Sequence, residues 1–408
     1  MNQKTNISRR RFVGGFAAAA AYLSLRPERG AWAQTTPVVV SEPADTYDSL
    51  VKLCYNENPY GPPESVVQAM TRALKYANRY GYPDGNITGE IARHHGVKPE
   101  NVLLGSGSTE ILEIVAEAFL QDRKKVIGAD PTFHSVFEFA TGQRARSIKL
   151  PLLPDFRQDI PAMIRTAKEN SSDVGFIYIC NPNNPTGAIV TKQEIKQLLD
   201  GIPENIPVLM DEAYHHFVDD PNYATAVSHV LEGRPVIVAR TFSKIAALAG
   251  MRLGYGIAPA SLIARMRPFA GSMTINVLAK WAGVAALKDT ASMERVRNDI
   301  LRQRKQTISD LAELGFSVIP SQGNFFMVNI RRNVVPVIQA FRQRGILVGR
   351  PVPAHARTSA RQRRHRRRDG PLHEGVQGNC SERGEVIEVA WLVAQSCCRI
   401  ADLQSANR

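Results

Sequence analysis

Cysteine is scarce in this chain. Five thiols in 408 residues, at positions 54, 180, 380, 397 and 398, include no CxxC pair and no other metal-ligating spacing, which argues against a disulfide framework and a thiolate metal centre. A membrane-spanning run is missing too: the apolar stretch Gly14 to Leu25 falls short of the roughly 20 residues a bilayer requires. The chain body also lacks a concentrated charge of one sign. Of the net charge of +13, residues 1–33 carry +5 and residues 353–408 carry +4, leaving +4 for the rest. So mild an excess does not call for a nucleic-acid partner. What remains, with a hydrophobic share of 44 %, is an ordinary globular composition, long enough for a large and a smaller domain.

Ser8-Arg9-Arg10-Arg11-Phe12 precedes the short apolar run, and Ala31-Trp32-Ala33 follows it. A charged segment, an apolar segment and an A-x-A site make an export signal. The S-R-R-x-F pattern resembles a twin-arginine signal, so the expected destination is the periplasm, with contact with the membrane only in transit; the alternative is the cytoplasm. Pro37 and Pro43 among polar residues then suggest an extended arm.

The richest stretch is Thr241-Phe242-Ser243-Lys244, continuing to Gly250-Met251-Arg252. It follows Pro235 to Arg240, an apolar run that reads as a buried strand, so Lys244 lies just past a strand end, where α/β sheets collect ligands. The hydroxyls of Thr241 and Ser243 and the guanidinium of Arg252 can hold a phosphate beside the lysine amine. That pairing suggests pyridoxal phosphate. Four further segments have the same strand-to-loop character. Val102 to Gly105 breaks into Ser106-Gly107-Ser108-Thr109, whose backbone N–H groups can receive an anion at a helix start. Lys125 to Ala129 leads to Phe133, an aromatic able to stack on a ring. Asp173 to Cys180 feeds Asn181-Pro182-Asn183-Asn184-Pro185-Thr186-Gly187, a defined turn. Pro207 to Met210 ends at Asp211-Glu212-Ala213-Tyr214, where a carboxylate can pair with a protonated pyridine nitrogen. Taken singly, each has an ordinary reading as surface lysine, core phenylalanine, plain turn or helix-capping acid.

Together, S-K-x-x-x-L-x-G-x-R, N-x-N-N-P-T-G and D-x-A-Y in this order and spacing resemble the fold-type I aminotransferases, and in detail the histidinol-phosphate aminotransferases. The likeness runs from about residue 50 to residue 352. It implies an α/β fold: a large domain with a mostly parallel seven-stranded sheet, and a smaller α+β domain. The boundaries expected are a signal at 1–33, an arm and loop at 34–75, the large domain at 76–268, the small domain at 269–352 and an aberrant tail at 353–408. It also implies pyridoxal 5'-phosphate as cofactor, with Lys244 as the residue that binds its aldehyde and moves the substrate proton. By the same resemblance Asp211 partners the ring nitrogen, Asn184 donates to the phenolic oxygen, and Tyr214 serves both catalysis and cofactor. Ser108, Thr109, Thr241, Ser243 and Arg252 hold the phosphate, Phe133 stacks on the ring, and Tyr82 of Arg79-Tyr80-Gly81-Tyr82-Pro83-Asp84 reaches the cofactor of a second subunit. Asn58 and Tyr60 of N-E-N-P-Y-G, with Asn324 of S-x-x-N-F, are the implied substrate residues. Expected partners are an amino donor, a 2-oxo acid such as 2-oxoglutarate, and a second copy of the chain. A decarboxylase or lyase on the same fold would share these motifs.

After Val352 the resemblance stops. The family's L-R-V-S strand, whose arginine clamps the substrate carboxylate, is replaced by Arg361-Gln362-Arg363-Arg364-His365-Arg366-Arg367-Arg368. Back-translating Ala354 to Gly378 with permitted codons and dropping the first base yields PMLEHLRVSVGTEEEMARFMKVFR, a strand and amphipathic helix of the missing kind. The expectation is a reading-frame change near residue 354, a tail that does not pack in the small domain, and an enzyme impaired in substrate binding.

Overall fold

In the computed structural model, residues 47–271, 274–349, 351–352 and 386–390 are described. The export signal, its cleavage site and the arginine run 361–368 lie outside the described residues. The described residues from Leu50 onward form one compact unit, to which all the following elements belong. Its strands are β1 Val51–Leu53, β2 Val102–Gly105, β3 Lys125–Asp130, β4 Arg146–Pro151, β5 Val174–Cys180, β6 Val208–Asp211, β7 Val236–Thr241, β8 Gly254–Ile257, β9 Ser317–Ile319, β10 Phe325–Asn329, β11 Ile346–Val348, β12 Pro351–Val352 and β13 Val386–Ala390.

Seven strands make the main sheet in the order β2-β8-β7-β6-β5-β3-β4. All run parallel except β8, which is antiparallel to both neighbours. The middle strands are apolar along their length because helices cover both faces of such a sheet: every residue of β5, β6 and β7 is buried. Gly/Ser, Pro/Asn and Asp signals then end β2, β5 and β6, so those strands stop together and their loops gather at one edge. Register makes this concrete, since Cys180 pairs with Asp211 and Asp211 with Ala239.

The smaller region is a sheet of order β12-β13-β10-β9, beside a two-stranded parallel pair of β1 and β11. Leu53, Leu311, Phe326, Val328, Ile346 and Val348 share one apolar cluster there, so the start of the compact unit and its later part build this core together. One expectation needs correcting. Val386–Ala390 of the tail does enter this region, antiparallel to β10 and β12. The physical reason is its composition: Val-Ile-Glu-Val-Ala is β-branched enough to extend, and β10 has an edge to offer on the side away from β9.

Candidate active site

The loop after β7 sets the centre. Lys244 Nζ donates to the Tyr55 carbonyl oxygen at 2.8 Å and stands 5.4 Å from the centroid of the Tyr214 ring. The Tyr214 hydroxyl in turn accepts from Asn184 Nδ2 at 3.1 Å and from Asn56 Nδ2 at 3.3 Å. Three separate strand ends, those of β5, β6 and β7, therefore bring an amide, a phenol and an amine to one place.

Asp211 closes β6 and is 3 % exposed. Its Oδ1 accepts from Ala213 N and its Oδ2 from the Tyr178 hydroxyl, each at 3.2 Å. Burial pushes this carboxyl up to about 6; the two hydrogen bonds pull the other way, Glu212 adds to the rise and Lys244 opposes it. A buried carboxylate so placed gains from a cationic nitrogen facing it.

The opposite end of the site is an anion cradle. The helix Ser108–Phe119 starts after Gly107 with no side-chain cap, leaving its first N–H groups open to a ligand. Gly107 has φ +79°, and a Cβ there would lie 2.3 Å from Arg252 Nη2. A Cβ on Gly254 would lie 2.4 Å from Ser108 N. Both glycines thus keep space that a side chain would take. Arg252, itself at φ 56°, is aimed by bonds from Nη2 to Ser106 O (3.1 Å) and from Nη1 to Ala249 O (3.0 Å). Thr241 Oγ1 donates to Ser243 Oγ at 2.8 Å, which brings two hydroxyls to the same wall.

These groups line one cavity of about 210 Å³. Ser108, Thr109, Phe133, Asn184, Asp211, Tyr214, Thr241, Ser243, Lys244 and Arg252 all face it. The remaining expected residues do not. Asn58 is buried with Nδ2 bonded to Ile245 O at 2.9 Å, so it pins the lysine loop from behind. Asn324 is buried with Nδ2 on Asn56 O at 3.0 Å. Tyr60 accepts from Gln303 Nε2 at 2.7 Å, and Tyr82 stands 79 % exposed, away from this chain's own cavity. Sequence reasoning missed Tyr55, Glu57, Cys180, Ala213 and Ala249 on the lining. Tyr55 acts through its carbonyl, which no side-chain motif reports. Cys180 could have been found, because it ends the strand before the asparagine turn.

A buried acid, a glycine-cleared helix start and an amine between them fit an aromatic cationic ring that carries a phosphate and an aldehyde. Comparison with known proteins agrees: the family described as aminotransferase class I and II matches residues 48–363. The chain belongs to that family. This aminotransferase is 37 % identical over 304 residues to the histidinol-phosphate aminotransferase of Moorella thermoacetica, covering 73 % of this chain and 77 % of that one. It is 33 % identical over 342 residues to the protein of the same name from an Anaeromyxobacter species, covering 80 % and 91 %. Among solved structures, the histidinol-phosphate aminotransferase of Sinorhizobium meliloti in complex with pyridoxal-5'-phosphate superposes with a TM-score of 0.72 at 20 % identity, covering 94 % and 97 %. The L-threonine-O-3-phosphate decarboxylase of Porphyromonas gingivalis gives 0.69 at 18 %, covering 88 % and 99 %. The last pair shows a shared fold, and the fold alone does not select the reaction.

Proposed function

We propose that this aminotransferase uses pyridoxal 5'-phosphate to move an amino group from histidinol phosphate, or a donor closely like it, to 2-oxoglutarate. The observation that carries the reading is the placement of Lys244, Asp211, Ser108 and Thr109 around one cavity; the identity to two histidinol-phosphate aminotransferases supports the donor. Bound there, the cofactor supplies an electron sink that makes the donor's α-proton removable. Asp211 would hold positive charge at the ring nitrogen. Ser108 and Thr109 N–H groups, the hydroxyls of Thr241 and Ser243, and Arg252 would hold the phosphate, and Phe133 would pack on the ring. Asn184 and Tyr214, which share a hydrogen bond on the cavity wall, would hold the phenolic oxygen. Lys244 would anchor the aldehyde, and its amine, once freed by the donor, would carry the α-proton as general base and acid.

Lys244→Ala tests this: the protein should stay folded yet lose the visible absorbance of the loaded enzyme and all amino transfer. Normal turnover by that variant would sink the mechanism. An assay of donors that follows both 2-oxoglutarate consumption and carbon dioxide release separates a transaminase from a decarboxylase of the same fold.

Two further features complete the reading. Tyr80 and Tyr82 are 90 % and 79 % exposed in the segment that, by resemblance, serves a neighbouring site, which supports a homodimer. Mixing Lys244→Ala subunits with Tyr82→Phe subunits checks it, because hybrid dimers would regain one intact site. The twin-arginine pattern supports a periplasmic location.

A further inference from the structure

We infer that Tyr178 is a positioning residue for the reaction, acting through Asp211. The inference rests on the reading of Asp211 as the partner of the ring nitrogen. Tyr178 lies in the middle of β5 and is fully buried, where the flanking residues Phe176, Ile177 and Ile179 are apolar. A phenylalanine would fill the same volume without burying a hydroxyl, and burying one is costly unless it is hydrogen-bonded. The hydroxyl donates to Asp211 Oδ2 at 3.2 Å. Register explains how it gets there. Cys180 pairs with Asp211 across β5 and β6, and Tyr178 pairs with Leu209, so the phenol starts two residues behind the carboxylate, on the same strand face as Cys180. Its ring is held edge-on against Phe137, with centroids 6.4 Å apart and planes at 85°.

The consequence for Asp211 is geometric. One oxygen takes the Ala213 N–H and the other takes the phenol, which fixes the carboxylate plane before any ligand arrives. The charged and titratable groups around it are Tyr178 and Cys180 from β5, Glu212 from its own strand end and Lys244 from the loop after β7. Burial raises both the phenol and the thiol well above their ordinary ranges, so Tyr178 remains a donor at every working pH. A donated hydrogen bond favours the ionised carboxylate. Without it Asp211 becomes more basic, draws the ring-nitrogen proton towards itself, and leaves the ring a weaker electron sink.

The test compares wild type, Tyr178→Phe and Asp211→Asn as cofactor-loaded protein, following the visible absorbance band against pH together with kcat and KM. Asp211→Asn should raise the apparent pKa of the band and lower kcat severely. Tyr178→Phe should raise it in the same direction by less, with kcat down about tenfold, the worth of a hydrogen bond to a charged group, and KM for the donor unchanged. A merely structural tyrosine would move neither the band nor kcat selectively. If Asp211→Asn shifts the band and Tyr178→Phe does not, the role of Tyr178 is refuted while that of Asp211 stands. If neither shifts it, the reading of Asp211 fails and takes this one with it. A second readout needs no cofactor: in the pH dependence of urea unfolding of the cofactor-free protein, Tyr178→Phe should move the Asp211 titration to higher pH, and an unmoved titration would overturn the proposal.

Discussion

Asp211→Asn should stabilise the cofactor-free protein above pH 6 even as it disables the enzyme. In the folded chain this carboxyl is raised from 3.8 to about 6, first by burial. The folded state therefore holds its proton more tightly than the unfolded state does. The resulting stability is fully present below pH 3.8 and is lost as the pH rises through 6. The gap between 3.8 and about 6 corresponds to about 3 kcal/mol, of which about half is lost between pH 5 and pH 7.5. Asparagine does not ionise and escapes this loss. Its NH2 group cannot accept from Tyr178 or Ala213 as a carboxylate oxygen does, which returns about 1 kcal/mol. The net expectation at pH 7.5 is a variant more stable than wild type by about 1 to 2 kcal/mol. Urea unfolding of both cofactor-free proteins at pH 5 and pH 7.5 measures it, and subtracting the two proteins cancels every other titrating group. A difference that stays constant across that interval would refute the reasoning.

The cradle gives a second expectation. Gly107→Ala places a Cβ against Arg252 at a backbone angle that alanine avoids, so strain of about 1 to 3 kcal/mol and a displaced guanidinium should weaken cofactor binding about a hundredfold; an affinity within threefold of wild type would contradict it. For export, Arg9→Lys with Arg10→Lys should retain the protein in the cytoplasm, and exported wild type should begin at Gln34 on N-terminal sequencing. For the tail, resequencing the gene should show a single-base difference near codon 354, restoring the strand with its carboxylate-binding arginine. The chain as written should then carry a loss in kcat/KM worth about 2 to 4 kcal/mol; an intact frame with full activity would remove the idea.

Five strands of the main sheet, β2, β3, β5, β6 and β7, were readable because they are short apolar runs ending in turn or hydroxyl residues, whereas β4, with its Arg-Ser-Ile-Lys-Leu-Pro alternation, and β8, a Gly-Tyr-Gly-Ile stretch, carry no such signal. Ten of the cavity-facing residues were readable because they sit in or just after the loops that follow these strands; Tyr55, Glu57, Cys180, Ala213 and Ala249 were not. Asn58 and Asn324 show where such reading stops. Both belong to motifs, yet both spend their amides on backbone carbonyls, Ile245 and Asn56, and only coordinates tell a ligand from a brace. Tyr178 was hidden by the opposite effect, since an apolar run gives no sign that one of its hydroxyls meets an acid on the next strand. The place of Val386–Ala390 depended on which strand edge stood open, a property of the assembled sheet and not of the segment.

The pairing of β1 with β11 reaches further than its three residue pairs suggest. Two residues after β1 comes Tyr55, whose carbonyl takes the Lys244 amine. The lysine's hydrogen bond is thus tethered, through a few residues of chain, to Ile346–Val348, almost at the other end of the described chain. A shift of the smaller sheet would be felt as tension on that carbonyl. A substitution in β11 should therefore show first in how readily Lys244 is released, a remote effect transmitted by covalent chain and one short ladder.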